Sequence, residues 1–392
     1  MSLRNLVLLV MAGVLAAGPE GAPKKADIEG SVAKGVRWLR AQSKDGVFTV
    51  TVQDQVVPHA GYTALALGAI AASLPVDARA ADPLVRSATA FLLKAQREDG
   101  GIGEAGAGSY DNYFTSATLM ALAAVNDPAT AAAREKMKGF LLTLQRKEEG
   151  RLKGGFGYNT AKGADLSNAQ FAIAALRAAG LPEDHEAMVK ARAFLARVQN
   201  RSENEENKDA SYDLEEKGIG IVKVVPGNDG SAGYEPGVSK AGLEKLPDGT
   251  YVARGYGSMT YALLKCYLLA GVPKEDERVQ AAVKWLAKNY TWDENPGFTK
   301  SAEDPKQKEA PYWGLFYYYM TAAKALQLAG IGKLETPSGP RDWRADLAQA
   351  ILSRQQADGS WRNEKSPRWE EGDPLLTTSY AVIALEDILA GK

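Results

Sequence analysis

Cysteine and histidine are almost missing from this chain, and each shortage removes a class of function. Cys266 is the single cysteine among 392 residues, so no internal disulfide and no multi-cysteine metal site can form. The two histidines, His59 and His185, are too few for a histidine-based metal centre, and no cofactor is expected. A basic surplus is also absent: 47 Lys and Arg face 48 Asp and Glu, which argues against a nucleic-acid partner. After the first eighteen residues no apolar run is long enough to cross a bilayer. Peripheral contact with a membrane stays open.

Those eighteen residues have an order of their own. Arg4 comes first, then an uncharged apolar run from Leu6 to Ala17, then the small residues Ala16, Ala17 and Gly18. That is the layout of a secretory signal peptide, so residues 1–18 are expected to be cleaved and the protein to be secreted or periplasmic. An exported chain without disulfides must be held by packing alone, which favours a large core.

What the chain has in plenty is repetition. The stretches "FLLKAQREDGGIG" (91–103), "FLLTLQRKEEGRLKGGFGY" (140–158) and "AILSRQQADGSW" (350–361) each end a helical pattern in Gln and continue into a Gly-rich loop. "WLRAQSKDGVF" (38–48), "FLARVQN" (194–200) and a degenerate "WLAKNY" (285–290) complete six units. The equivalent positions are Gln42, Gln96, Gln145, Gln199, Tyr290 and Gln355. The first helix of each unit is apolar on one face only, as with Met137, Phe140, Leu141 and Leu144. The second is apolar nearly all round, as in "YTALALGAI" (62–70) and "TSATLMALAA" (115–124), and must be buried on every side.

Alternating half-exposed and fully buried helices predict an all-α fold: an α/α toroid of six outer/inner helix hairpins over 26–392. Neither terminal unit looks polar enough to cap an open solenoid. Connectivity puts every long outer-to-inner loop on one rim, where function is expected. All six inner helices start there, so their dipoles should favour anions and acceptors. The fourth unit carries an insertion at 201–257 with short strand patterns, "GIGIVKVV" and "TYVARG", around Pro247-Asp248-Gly249. It is either a solvated excursion or a lid, and as a lid it would bury its apolar strand over the rim. A second excursion spans 291–313.

The Gln-x-x-x-Gly-x-aromatic spacing, in Gln42…Gly46…Phe48 and Gln355…Gly359…Trp361, resembles the repeat of squalene and hopene cyclases. That family shares its toroid with the β-subunits of protein prenyltransferases. The resemblance runs over the whole mature chain and implies the fold; in that family these repeat residues are structural. Class II cyclases protonate a polyprene through an Asp-x-Asp-Asp-Thr-Ala motif. Here the matching stretch reads Asp165-Leu166-Ser167-Asn168-Ala169-Gln170, so Ser167 stands where the family has its proton donor. Asp111-Asn112-Tyr113-Phe114 likewise keeps the first Asp alone. The zinc ligands of the prenyltransferases have no counterparts either.

What remains is a set of polar and aromatic residues near inner-helix starts: Asp111, Tyr113, Tyr158, Asp165, Asn168, Tyr256 and Trp313. They are expected to line one pocket at the long-loop rim. Helix capping is the plainer role for the two aspartates, and core filling for many of the aromatics. No catalytic residue can be named. Three readings stand: a toroid binding an apolar, isoprenoid-like or extended ligand; a divergent terpenoid cyclase-like lyase or isomerase with an unidentified acid; and a carbohydrate-active toroid. A plugged cavity would leave a protein-interaction scaffold.

Overall fold

The structure is a computed structural model describing residues 21–391 apart from 53, 104–109, 162 and 217. The expected signal segment, 1–18, lies outside the described residues. Twelve helices form the six hairpins. The outer members are α1 (Lys25–Gln42), α3 (Pro83–Lys94), α5 (Ala131–Thr143), α7 (Glu186–Val198), α9 (Glu277–Lys288) and α11 (Trp343–Leu352). The inner members are α2 (Ala60–Ala72), α4 (Asp111–Val125), α6 (Leu166–Ala178), α8 (Gly257–Leu269), α10 (Leu315–Leu328) and α12 (Pro374–Leu389). Each inner helix packs on the next, and α12 packs back on α2, so the ring is closed. The chain is an α/α toroid. No described helix is long and apolar enough to cross a membrane.

The repeat motif explains how the outer wall is joined. Gln96 donates from Nε2 to Ala133 O (2.9 Å) at the start of α5, and Gln145 does the same to Ala187 O (2.8 Å) in α7. Gln199 reaches Arg278 O (2.8 Å), and Gln355 reaches Ser31 O (2.9 Å), which sews the last outer helix to the first. The glycine that follows must approach the same neighbour. Gly154 has φ +84°, and a Cβ there would lie 2.1 Å from Lys190 O. The apolar residue two places on then plugs the core: Phe48, Ile102, Phe156 and Trp361 are fully buried.

Two joints are built differently. Gln42 is exposed, and Arg40 instead grips Asp82, the N-cap of α3, through two hydrogen bonds (2.8 and 3.3 Å). Tyr290 donates to Asp346 Oδ2 (2.8 Å) of α11, so the degenerate unit replaces an amide-to-backbone joint with a phenol-to-carboxylate one.

The insertion folds as expected into short strands, with one correction. Strands β1 (Tyr212–Glu216), β2 (Gly220–Val224), β3 (Leu243–Lys245) and β4 (Tyr251–Ala253) make one small sheet in the order β1-β2-β4-β3. Val222 and Val224 are buried, but Ile219 and Ile221 are exposed at its hairpin end. A four-stranded sheet with solvent on one side alternates in and out, so half of the apolar "GIGIVKVV" run faces water rather than the rim.

Candidate functional site

The long-loop rim is closed between helices by the loops themselves. The first N–H groups of a helix have no partner within it, and at four inner helices the loop of the following unit supplies one. Asn112 N donates to Tyr158 O (2.9 Å), Leu166 N to Tyr234 O (2.9 Å), and Gly257 N to Pro296 O (2.7 Å). At α10 the partner is a side chain: Glu371 Oε1 accepts from Tyr317 N (2.8 Å), while its Oε2 accepts from Asn363 (2.8 Å). Burial pushes the Glu371 carboxyl up to about 7. The expectation that inner-helix starts favour acceptors is met at these four helices by the protein itself, through three carbonyls and the Glu371 carboxylate.

Inside this sealed rim sits an aromatic mouth. Tyr113 of α4 meets Tyr158 edge to face (5.5 Å) and Phe171 of α6 (5.0 Å), and Tyr110 meets Tyr158 (5.8 Å). Tyr234, from the 201–257 insertion, brings its hydroxyl within 3.0 Å of the Tyr158 hydroxyl. Arg151 pairs with Glu235 (2.8 Å) and pins this part of the insertion to the rim.

Asp165 lies beneath Tyr234, buried. It is the N-cap of α6: Oδ1 accepts from Asn168 N (2.8 Å) and Oδ2 from Asn168 Nδ2 (2.8 Å). Desolvation outweighs these bonds and that of Tyr234, and lifts its carboxyl to about 6.

The floor of the mouth is polar and crosses the axis. Tyr113 donates to Ser167 Oγ (2.8 Å), and the Ser167 and Tyr317 hydroxyls lie 3.0 Å apart. Gln170 donates to the Tyr317 hydroxyl (2.8 Å) and accepts from Lys265 Nζ (2.8 Å). Helices α6 and α10 are not neighbours in the ring, so Tyr317 spans the centre to reach them. Ser167, at the position where a cyclase carries its acid, is here a hydroxyl held between two tyrosines.

The inner helices keep lines of residues with some remaining exposure. On α2, Tyr62, Leu65 and Gly68 are half-buried; on α6, Ser167, Phe171 and Ala174 are buried and keep only 9%, 4% and 9%; on α12, Leu376 and Tyr380 are buried while Ile383 and Asp387 are half-buried. Their opposite faces, such as Leu67 and Ile70 or Ala172, Ile173 and Leu176, have no exposure at all. Helical spacing of three and four on each inner helix places these lines on the axis. On α8, Lys265 itself keeps a trace of exposure.

Of the seven residues singled out by sequence, Tyr113, Tyr158 and Asp165 share the mouth. Asn168 is fully buried behind Asp165, with its Oδ1 unpartnered. Asp111 turns outward to Arg97 (3.2 Å), leaving Tyr110 as the helix N-cap residue. Tyr256 and Trp313 pack on Phe298 (4.9 and 5.5 Å) under the 291–313 excursion. Tyr113, Tyr158 and Asp165 thus make the mouth, Tyr256 is buried near enough to feel Tyr317, Asp165 and Tyr158, and Asp111 and Trp313 have their contacts elsewhere. Sequence reasoning missed Ser167 as a bridging group, along with Gln170, Lys265 and Tyr234. A Lys inside an otherwise apolar inner helix was the available signal. Both histidines are helix caps: His59 Nδ1 accepts from Tyr62 N and His185 Nδ1 from Ala187 N (3.1 Å each). Among the described residues no three His, Cys, Asp or Glu side chains gather as metal ligands would.

Comparison with known proteins agrees with this architecture. Residues 24–110 match the prenyltransferase alpha-alpha toroid domain, and residues 85–199 match the squalene-hopene cyclase N-terminal domain. By sequence, no curated protein matches. The type II terpene cyclase MstE from Scytonema, solved with geranylgeranyl dihydroxybenzoate as substrate, superposes with a TM-score of 0.54 at 15% identity, over 94% of this chain and 99% of that one. Its apo form gives 0.53 at 17% identity, over 94% and 100%. An inactive α-1,6-mannanase of Salegentibacter, GH76A, bound to α-1,6-mannotriose, gives 0.54 at 10% identity, over 93% and 100%. The chain is an α/α-toroid protein whose first half is similar to the toroid domains of prenyltransferases and squalene-hopene cyclases. Identities this low speak for the fold alone.

Proposed function

We propose that this protein is an exported toroid that takes an elongated, largely apolar ligand, isoprenoid-like in shape, through the aromatic mouth onto its axis. The observation that carries this is the set of accessible lines on the inner helices, converging under Tyr62, Tyr113, Phe171, Tyr317 and Tyr380. Core-facing surfaces in a well-packed ring have no such lines. Aromatic walls with a few fixed polar groups suit an apolar body better than a small charged solute. Neighbours of the same fold are solved with an isoprenoid substrate, which supports the choice of ligand class. The Arg4, Leu6–Ala17, Ala16-Ala17-Gly18 order supports export, and the mature chain should begin after residue 18 when its N-terminus is sequenced by mass spectrometry.

Titration of the mature chain with geranylgeraniol, followed by tyrosine and tryptophan fluorescence, should saturate at one ligand per chain. Tyr113→Ala should weaken binding several-fold without loss of the cooperative unfolding transition. No saturable binding of any isoprenoid alcohol or acid would overturn the reading.

Asp165 favours a second reading, a cyclase-like isomerase, because it is a buried carboxyl lifted to about 6 beside the mouth. Both its oxygens, however, are taken by Asn168. Protonating an alkene needs an acid aimed into a dry cavity. Cyclised products from squalene or geranylgeraniol, lost in Asp165→Asn, would establish it.

A further inference from the structure

The polar floor of the mouth holds more donors than acceptors. An ammonium offers three hydrogens, an amide two and a hydroxyl one. Lys265 uses one of its hydrogens on Gln170, and Gln170 uses one of its own on Tyr317. Tyr113 spends its proton on Ser167, and the Ser167–Tyr317 contact consumes one proton of the two available there. Two ammonium hydrogens, one amide hydrogen and one hydroxyl hydrogen are left over, with no acceptor among the described residues.

The charge is unbalanced as well. Lys265 is the cation nearest this floor, and no described carboxylate lies within ion-pair distance of it. Lys324 and Asp387 pair with each other (3.0 Å), so their fields on Lys265 oppose. Cys266, the next residue, is a thiol that burial holds neutral, pushed up to about 12. An unpaired buried charge is costly, and is kept where something arrives to compensate it. Burial lowers the Lys265 ammonium to about 8, which still leaves it mostly charged at neutral pH.

We propose that the Lys265–Gln170–Tyr317 floor is a receptor for the carboxylate end of an apolar ligand, whose body fills the aromatic mouth above. This rests on the ligand-binding reading of the mouth and adds the head group to it. A carboxylate brings one negative charge and two oxygens able to accept about four hydrogen bonds, matching one cation and the leftover neutral donors. A diphosphate would need several cations, and the floor supplies one.

The experiment compares two pairs of probes that differ only in the end group: geranylgeranoic acid against geranylgeraniol, and palmitic acid against hexadecanol. Each is titrated into the mature protein by calorimetry at neutral pH. The acid of each pair should bind at least tenfold more tightly than its alcohol. In Lys265→Met the acids should lose their advantage and bind no more tightly than the alcohols. Equal affinity of acid and alcohol for the wild type overturns the carboxylate receptor and leaves the apolar mouth standing. Discrimination that survives in a folded Lys265→Met protein overturns the role of Lys265. Absence of binding by all four probes overturns both readings together. The wild-type comparison needs no variant, so it decides the question even if Lys265→Met fails to fold.

Discussion

The rim and the axis are both crowded with hydrogen-bond donors, and they are treated in opposite ways. At the rim, the first N–H groups of α4, α6, α8 and α10 each find a carbonyl or carboxylate brought by the next unit. On the axis, Lys265, Gln170, Tyr317 and Ser167 form a chain with hydrogens to spare. The outer joints resemble the rim: every amide donor of Gln96, Gln145, Gln199 and Gln355 that reaches the next helix ends on a backbone oxygen. A protein that satisfies its wall and not its centre has separated what holds it together from what it is for. Buried polar groups are almost always paired, so a buried chain with hydrogens to spare marks a place for something else.

Substitution should expose that separation, because wall changes should cost stability and the axial one should add it. The largest effect is expected at Gly154, whose Cβ would lie 2.1 Å from Lys190 O at a left-handed φ. Gly154→Ala should destabilise by about 4 kcal/mol, the range of severe backbone conflict, read by urea unfolding. Gly180→Ala, also at positive φ but with open space around it, should cost only about 1 kcal/mol.

Lys265→Met should move the other way, raising unfolding free energy by about 2 kcal/mol at pH 7, since an uncompensated buried charge gives way to an apolar side chain. Its pH dependence follows from the lowered ammonium. Between about 8 and the ordinary lysine value of 10.5, the unfolded chain holds more protons on Lys265 than the folded one. Stability of the wild type should therefore climb through that window relative to Lys265→Met, and the gap should close. A wild type that loses ground above pH 8 would contradict an unpaired ammonium on the axis.

The smallest effect belongs to the seam. Gln355→Ala removes the bond to Ser31 that joins the last unit to the first, and should cost about 1 kcal/mol. Gln96→Ala, within the wall, should cost about the same. A much larger loss at Gln355 would mean that the ring is closed by this joint and not by α12 against α2.

Much of the wall was legible in the sequence. Gln, then Gly with an apolar plug two places on, recur in the same order because each outer helix meets its neighbour in the same way, and equal geometry demands equal residues. Even the degenerate unit announced itself: Tyr290 stands in the Gln position and makes a joint to Asp346 instead. The mouth was legible only in part. Tyr113, Tyr158 and Asp165 were found by their nearness to inner-helix starts, and so were Asp111 and Trp313, whose contacts lie elsewhere. Ile221 was expected to be buried if the insertion served as a lid, and it is exposed, because its sheet has a solvent side.

By itself, the sequence determined the closed ring of helix pairs, since a 3.6-residue period and a repeated turn act between positions close in the chain. Which side chains meet at the axis was left to the tertiary structure. Tyr317 reaches Ser167 across 150 residues, and Lys265 reaches Gln170 across 95. Neither pair shares a period, a turn or a motif. Only closing the ring sets those helices face to face, and the surplus of donors at its centre exists only once they are.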